Sequence, residues 1–201
     1  MSETRCQPPC QAVVIGASAG ALEVLNQVLP ALPASFPLPV FVVVHVPPDR
    51  KSLLAELFAR RCAMRVREAE DKEPIEPGTV YFAPPNYHML VETPQALALS
   101  ADEPVLYSRP AIDILFESAA DVYGPALAAL VLTGANEDGA RGLRAATAAG
   151  GQVAVQDPQT AFAAAMPEAA LAACPQARIV TPGGIAAYLQ ELAARPPVDK
   201  N

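Results

Sequence analysis

Ala12-Val13-Val14-Ile15-Gly16-Ala17-Ser18-Ala19-Gly20 carries the reading of this chain. Ala12 to Ile15 is a short apolar run of strand type, Gly16 to Gly20 is a turn of small residues, and Ala21 to Leu29 reads as helix. Strand, tight turn and helix in that order open a βαβ unit. The turn spells G-x-S-x-G in the strand-to-helix context that gives the pattern its meaning. A serine held there presents its hydroxyl at the carboxyl edge of a sheet.

Outward from this stretch the same alternation repeats. Apolar runs at Ala12–Ile15, Val40–Val46, Thr79–Ala83, Ala128–Leu132, Gln152–Gln156 and Arg178–Val180 are separated by alanine-rich stretches. Helices are predicted near residues 19–30, 50–61, 110–122, 139–149, 161–173 and 183–194. Nearly continuous apolar strands are those of a parallel sheet covered on both faces. Met89–Glu92 and Ala96–Ser100 flank Thr93-Pro94-Gln95 and read as an antiparallel hairpin. The expected fold is α/β: an open, doubly wound, mostly parallel sheet with helices on both faces and one antiparallel hairpin. One domain is expected over residues 12–194, with loose tails at 1–11 and 195–201.

The bulk numbers exclude several classes. Apolar residues make up 52% of the 201 and charged residues only 17%, so a full core is available. A net charge of −7 argues against nucleic acid as a partner, because phosphate binding needs a basic face. No apolar run reaches the length of a membrane span, and the polar N-terminus lacks a signal core. A cytoplasmic protein with no direct membrane insertion is expected. Cys6, Cys10, Cys62 and Cys174 with only two histidines do not make a zinc site, so reduced thiols, no metal and no cofactor are expected.

Three residues carry candidate chemistry. Ser18 is a nucleophile once a base takes its proton. Two rival readings stand beside it: a plain helix N-cap, and a Gly16–Gly20 cradle for an anion. His45 ends the run Val40–Val44, where a strand leaves the core and where ligand crevices of open sheets lie. If the first two strands are neighbours, His45 and Ser18 emerge at adjacent tips; the competing reading is a loop-capping histidine. Asp138 follows Val131-Leu132-Thr133-Gly134-Ala135-Asn136-Glu137 and precedes a helix. It suits a carboxylate that orients a histidine, or an ordinary N-cap, and neighbouring Glu137 competes with it. His88 is the other candidate base, with loop ordering as its alternative. Arg109, before a helix that contains Asp113, is read either as structural or as a contact for a substrate carboxylate.

Together these stretches resemble the catalytic domain of the bacterial chemotaxis protein-glutamate methylesterases (CheB-type). The resemblance rests on Val14–Gly20, His45-Val46-Pro47, Tyr81–Pro84 with His88-Met89, Arg109–Phe116, Leu132–Gly134 with Asp138–Ala140, Gln156-Asp157 and Met166-Pro167. It implies Ser18 as nucleophile, His45 as general base and Asp138, rather than Glu137, as the orienting carboxylate. Ala19, Ala135, His88 and Met166 would line the substrate or oxyanion side, with packing as the alternative for Met166. The implied reaction is hydrolysis of glutamyl γ-methyl esters with release of methanol, and deamidation of glutamines by the same acyl chemistry. The implied partners are methyl-accepting chemotaxis receptors, methylated on their cytoplasmic helices. The family's Thr and second Gly after the serine are Ala19 and Ala21 here; its Gly-Met-Gly is Gly134-Ala135-Asn136; its Pro-Gly is Pro84-Pro85. About eleven residues precede the first strand. The expectation is therefore a catalytic domain without the family's N-terminal receiver domain, either constitutive, controlled by a separate regulatory protein, or specialised for a substrate other than chemoreceptors. A non-catalytic binding module of the same fold is the alternative function.

Overall fold

The computed structural model describes residues 8–46 and 52–194. The expected tails fall largely outside these residues, the C-terminal one entirely. In chain order the elements are β1 (Ala12–Ala17), α1 (Ala21–Val28), β2 (Val40–Val44), α2 (Leu54–Ala59), β3 (Arg65–Glu68) and β4 (Thr79–Phe82). Then come β5 (His88–Thr93), β6 (Ala96–Ser100), α3 (Ile112–Tyr123), β7 (Leu127–Val131), α4 (Ala140–Ala148), β8 (Gln152–Gln156), α5 (Ala165–Ala173), β9 (Arg178–Val180) and α6 (Pro182–Ala193).

Seven strands form one sheet in the order β3-β4-β2-β1-β7-β8-β9, with every pairing parallel. β1 is central and buried along its whole length. Its side chains alternate between two cores. Val13, Ile15 and Ala17 join Val24, Leu25 and Val28 of α1 and Ile185, Leu189 and Leu192 of α6 on one face. Ala12 and Val14 join α3, α4 and α5 on the other. Both faces are thus covered, which is why the strand sequence carries no polar alternation. β5 and β6 form the expected antiparallel hairpin as a separate sheet. Met89, Val91 and Leu97 turn its apolar side onto α3.

Two expectations need correcting. β3 is not among the strands expected from sequence. Its four residues, Arg-Val-Arg-Glu, alternate exposed and half-buried at the sheet edge, so no apolar signal marks it. Charges on an edge strand discourage pairing with other chains. The second helix, expected over residues 50–61, spans Leu54–Ala59, ending before residues 60 and 61, while residues 50 and 51 lie outside those described. Among the described residues no helix is long and apolar enough to cross a membrane.

The strand order reverses between β1 and β7. The chain winds from β1 through β2 to β4, then returns by the hairpin and α3 to β7. In open parallel sheets the crevice at such a switch point, outside the carboxyl ends, is where ligands bind.

Candidate active site

Ser18, His45 and the loop carrying Asp138 leave the sheet at the carboxyl ends of three adjacent strands, β1, β2 and β7. The backbone ties these tips together. His45 N–H donates to Ala17 O at 3.3 Å, and Ser18 N–H donates to Thr133 O at 2.8 Å. Ser18 is half-buried, and its hydroxyl has no hydrogen-bond partner among the described residues. The N-cap of α1 is Gly20, at φ 83, with no side-chain cap. The capping role weighed for Ser18 is therefore not the one it plays. Glycine suits the cap because a left-handed φ costs it little.

His45 Nε2 lies 2.8 Å from Asp138 Oδ2, with side-chain exposures of 12% and 0%. A carboxylate accepts, so Nε2 carries the proton and Nδ1 is left to accept one. Asp138 does not cap its own helix either, since the N-cap of α4 is Gly139, at φ 99. Instead Asp138 Oδ2 accepts Ile112 N–H at 2.7 Å and Oδ1 accepts Asp113 N–H at 2.9 Å. The catalytic candidate thus caps the neighbouring helix, α3, with its carboxylate facing the positive end of that helix. Glu137, its competitor in the sequence, is exposed.

Asp113 returns the arrangement. Its Oδ1 accepts Gly139 N–H at 2.9 Å and Gly142 N–H at 2.7 Å, capping α4. Asp138 therefore caps the helix that carries Asp113, and Asp113 caps the helix that follows Asp138. This cross-capping fixes α3, α4 and the Asp138 loop as one unit. Burial pushes the Asp113 carboxyl above its ordinary range, with the charge of Asp138 adding to the shift, against the backbone donors and Arg141. The native state then holds this proton more tightly than the unfolded chain. That contribution to stability is present below the ordinary carboxylate range and is lost as pH rises through the raised value. Asp113→Asn keeps an acceptor for both amides. Its thermal midpoint relative to wild type should increase between about pH 4 and neutrality. A constant difference in melting scans across that window would refute this.

Gly16 sets how closely α3 approaches β1. A Cβ there would lie 2.3 Å from Ile112 Cγ2. Gly16→Ala should displace the first turn of α3, and with it Asp138. We expect a loss of about 1–3 kcal/mol in urea unfolding, together with reduced activity. Unchanged stability would show that α3 yields freely.

Thr133, which carries no role among the sequence candidates, ties the Ser18 turn to the far loop. Its Oγ1 donates to Ala19 O at 2.8 Å and accepts Ala163 N–H at 3.0 Å. Its own N–H donates to Gln156 Oε1 at 3.0 Å. Asp113 and Gln156 likewise received no role there. The bonds of Asp113 to Gly139 and of Gln156 to Thr133 span more than twenty residues, so local spacing could not reveal them.

The remaining candidates are placed differently. The N–H groups of Ala19 and Ala135 have no partner among the described residues, which leaves them available to an oxyanion. Met166 is 1% exposed and packs where a Cβ on Gly134 would stand, so it shapes the loop from beneath. His88 is 1% exposed; Nδ1 accepts Ala111 N–H and Nε2 donates to Glu103 O, both at 3.1 Å. Its ring orders the loop before α3 and has no nitrogen left for a substrate. Arg109 donates to Ala101 O, Asp102 O and Asn86 Oδ1, so its guanidinium is already engaged. Among the described residues, no group of three or more His, Cys, Asp or Glu side chains is arranged to hold a metal.

Comparison with known proteins agrees in kind. A family model described as CheB methylesterase matches residues 13–189. A Leptospira interrogans relative, whose name carries protein-glutamate methylesterase/protein-glutamine glutaminase provisionally, is 44% identical over 163 residues. That match covers 81% of this chain and 84% of the relative. The protein-glutamate methylesterase/protein-glutamine glutaminase of Symbiobacterium thermophilum is 40% identical over 79% of this chain, which spans only 44% of that protein. The crystal structure of the Thermotoga maritima CheB methylesterase catalytic domain superposes with a TM-score of 0.87 at 32% identity. It covers 91% of this chain and 98% of that one.

Proposed function

The chain belongs to the CheB methylesterase family, and from that premise we propose that it is a serine hydrolase. Its substrates would be the γ-methyl esters of glutamates on chemoreceptors, with receptor glutamines deamidated by the same chemistry. The observation that carries the reading is the 2.8 Å His45–Asp138 pair at the strand tip beside the Ser18 turn. Ser18 Oγ gives its proton to His45 Nδ1 and attacks the ester carbonyl. Asp138 stabilises the imidazolium through Nε2. The carbonyl oxygen gathers charge against the N–H groups of Ala19 and Ala135. Collapse expels methanol, which takes the proton from His45, and leaves an acyl-enzyme on Ser18. Water, deprotonated by His45, then releases the free glutamate.

Nothing in this sequence of steps needs a metal or cofactor, because the leaving group departs with a proton that the histidine already holds. The test is methanol release from a methyl-labelled chemoreceptor incubated with the purified protein. Labelled methanol at a rate above spontaneous hydrolysis supports the reading. No release from a receptor that an established methylesterase demethylates would overturn it.

A further inference from the structure

Tyr107 is fully exposed (102%), and Leu106 beside it is 41% exposed. Both have left-handed backbone, at φ 63 and φ 48. They form the tip of a tight turn closed by Val105 N–H to Ser108 O at 3.1 Å and Ser108 N–H to Val105 O at 2.8 Å. Turns with two left-handed central residues ordinarily use Asn-Gly, and bulky side chains are rare there. Strain of this kind is retained where the surrounding structure imposes it.

The surroundings do so here. Arg109 clamps one shoulder of the loop through Ala101 O, Asp102 O and Asn86 Oδ1. His88 bridges Glu103 O to Ala111 N–H across the base. The tip is therefore a braced projection. Its place is informative. Tyr107 walls a cleft of about 420 Å³ that His45 also lines. On its other flank, Leu106 and Tyr107 border Asn136 and Glu137, which lead to Asp138. A substrate seated beside His45 in this cleft has Tyr107 as one of its walls. A second exposed aromatic, Phe162 (76%), stands against Gly20 at the nucleophile turn.

A methyl ester and its glutamyl stem are too small to cover such aromatic surface. A rigid, exposed tyrosine with few rotatable bonds is the usual form of a binding anchor. We propose that Tyr107 determines specificity for the polypeptide bearing the ester. Its ring receives an apolar side chain of that polypeptide lying beside the esterified glutamate in the His45 cleft. Leu106 extends that contact. The inference rests on the hydrolase reading above and adds to it the residue that selects a protein over a small ester.

The test compares two substrates: a methylated chemoreceptor fragment, and a small activated ester such as p-nitrophenyl acetate. Tyr107→Ala should raise KM for the receptor about tenfold or more while leaving kcat/KM for the small ester within about twofold. Tyr107→Phe should behave as wild type on both, because the ring makes the contact. An equal loss on both substrates would overturn the proposal, since the tip would then serve the catalytic groups alone. Unchanged receptor kinetics in Tyr107→Ala would overturn it as well. Absence of Ser18-dependent hydrolysis of either substrate by the wild type would instead remove the hydrolase reading beneath it.

Discussion

Ser18→Ala should lower kcat for ester hydrolysis by about 10⁴–10⁶-fold while leaving the thermal midpoint unchanged. The two halves of this expectation come from different atoms. The hydroxyl is the only group removed, and it has no hydrogen-bond partner among the described residues. The backbone bonds that hold the turn, Ser18 N–H to Thr133 O at 2.8 Å and Ala21 N–H to Ser18 O at 2.9 Å, survive the substitution. The α1 cap is supplied by Gly20, so no capping energy is lost. If Ser18 were instead the cap of α1, the same change would cost about 1 kcal/mol and leave turnover intact. Methanol release and a melting scan on one preparation distinguish the two. Retained turnover would show that another group carries the acyl chain.

Much of the architecture was legible because it is written in one-dimensional periodicity. Ala12–Ile15 and Val40–Val44 are apolar at every position, which only a strand buried on both faces requires, and they pair with each other as the Ser18–His45 argument needed. β3 was illegible for the converse reason: an edge strand of Arg65, Val66, Arg67 and Glu68 buries little. The site divides in the same way. Ser18 and His45 stand immediately beyond strand ends, and a strand end is visible in sequence. Asp138 and Glu137 are adjacent, both acidic and both before a helix, and composition cannot rank them. What separates them is three-dimensional: the first residues of α3 present two N–H groups to Asp138. The answering cap from Asp113 to α4 lies equally beyond local pattern. His88 divides the other way: of its two readings, substrate-side group or loop ordering, sequence favours neither. A histidine beside a proline-rich loop invites a chemical role, yet its two ring nitrogens are spent on the backbone at Ala111 and Glu103.

In the proposed mechanism catalysis and folding meet at Asp138, and its two substitutions should fail differently. Asp138→Ala removes the acceptor for Ile112 N–H, Asp113 N–H and the His45 ring at once. Buried amides left unpaired cost about 1–3 kcal/mol each, so a loss of about 2–5 kcal/mol in stability is expected along with activity. Asp138→Asn nearly preserves shape but supplies one oxygen and one amide nitrogen where three donors converge. With the nitrogen at the Oδ1 position, it opposes Asp113 N–H. With the nitrogen at the Oδ2 position, it opposes Ile112 N–H and can satisfy His45 only by donating to Nε2. The ring must then carry its proton on Nδ1, the nitrogen that would receive the serine proton. Stability should fall by only about 1–2 kcal/mol, whereas kcat should fall by about 10⁴-fold, as expected when an orienting carboxylate is replaced and the wrong tautomer is held. The carboxylate's charge, which offsets the imidazolium, is lost in both variants. Urea unfolding and single-turnover ester cleavage on the two variants would resolve these contributions. If Asp138→Asn retained more than about a tenth of wild-type kcat, orientation of His45 by Asp138 would not be part of the mechanism.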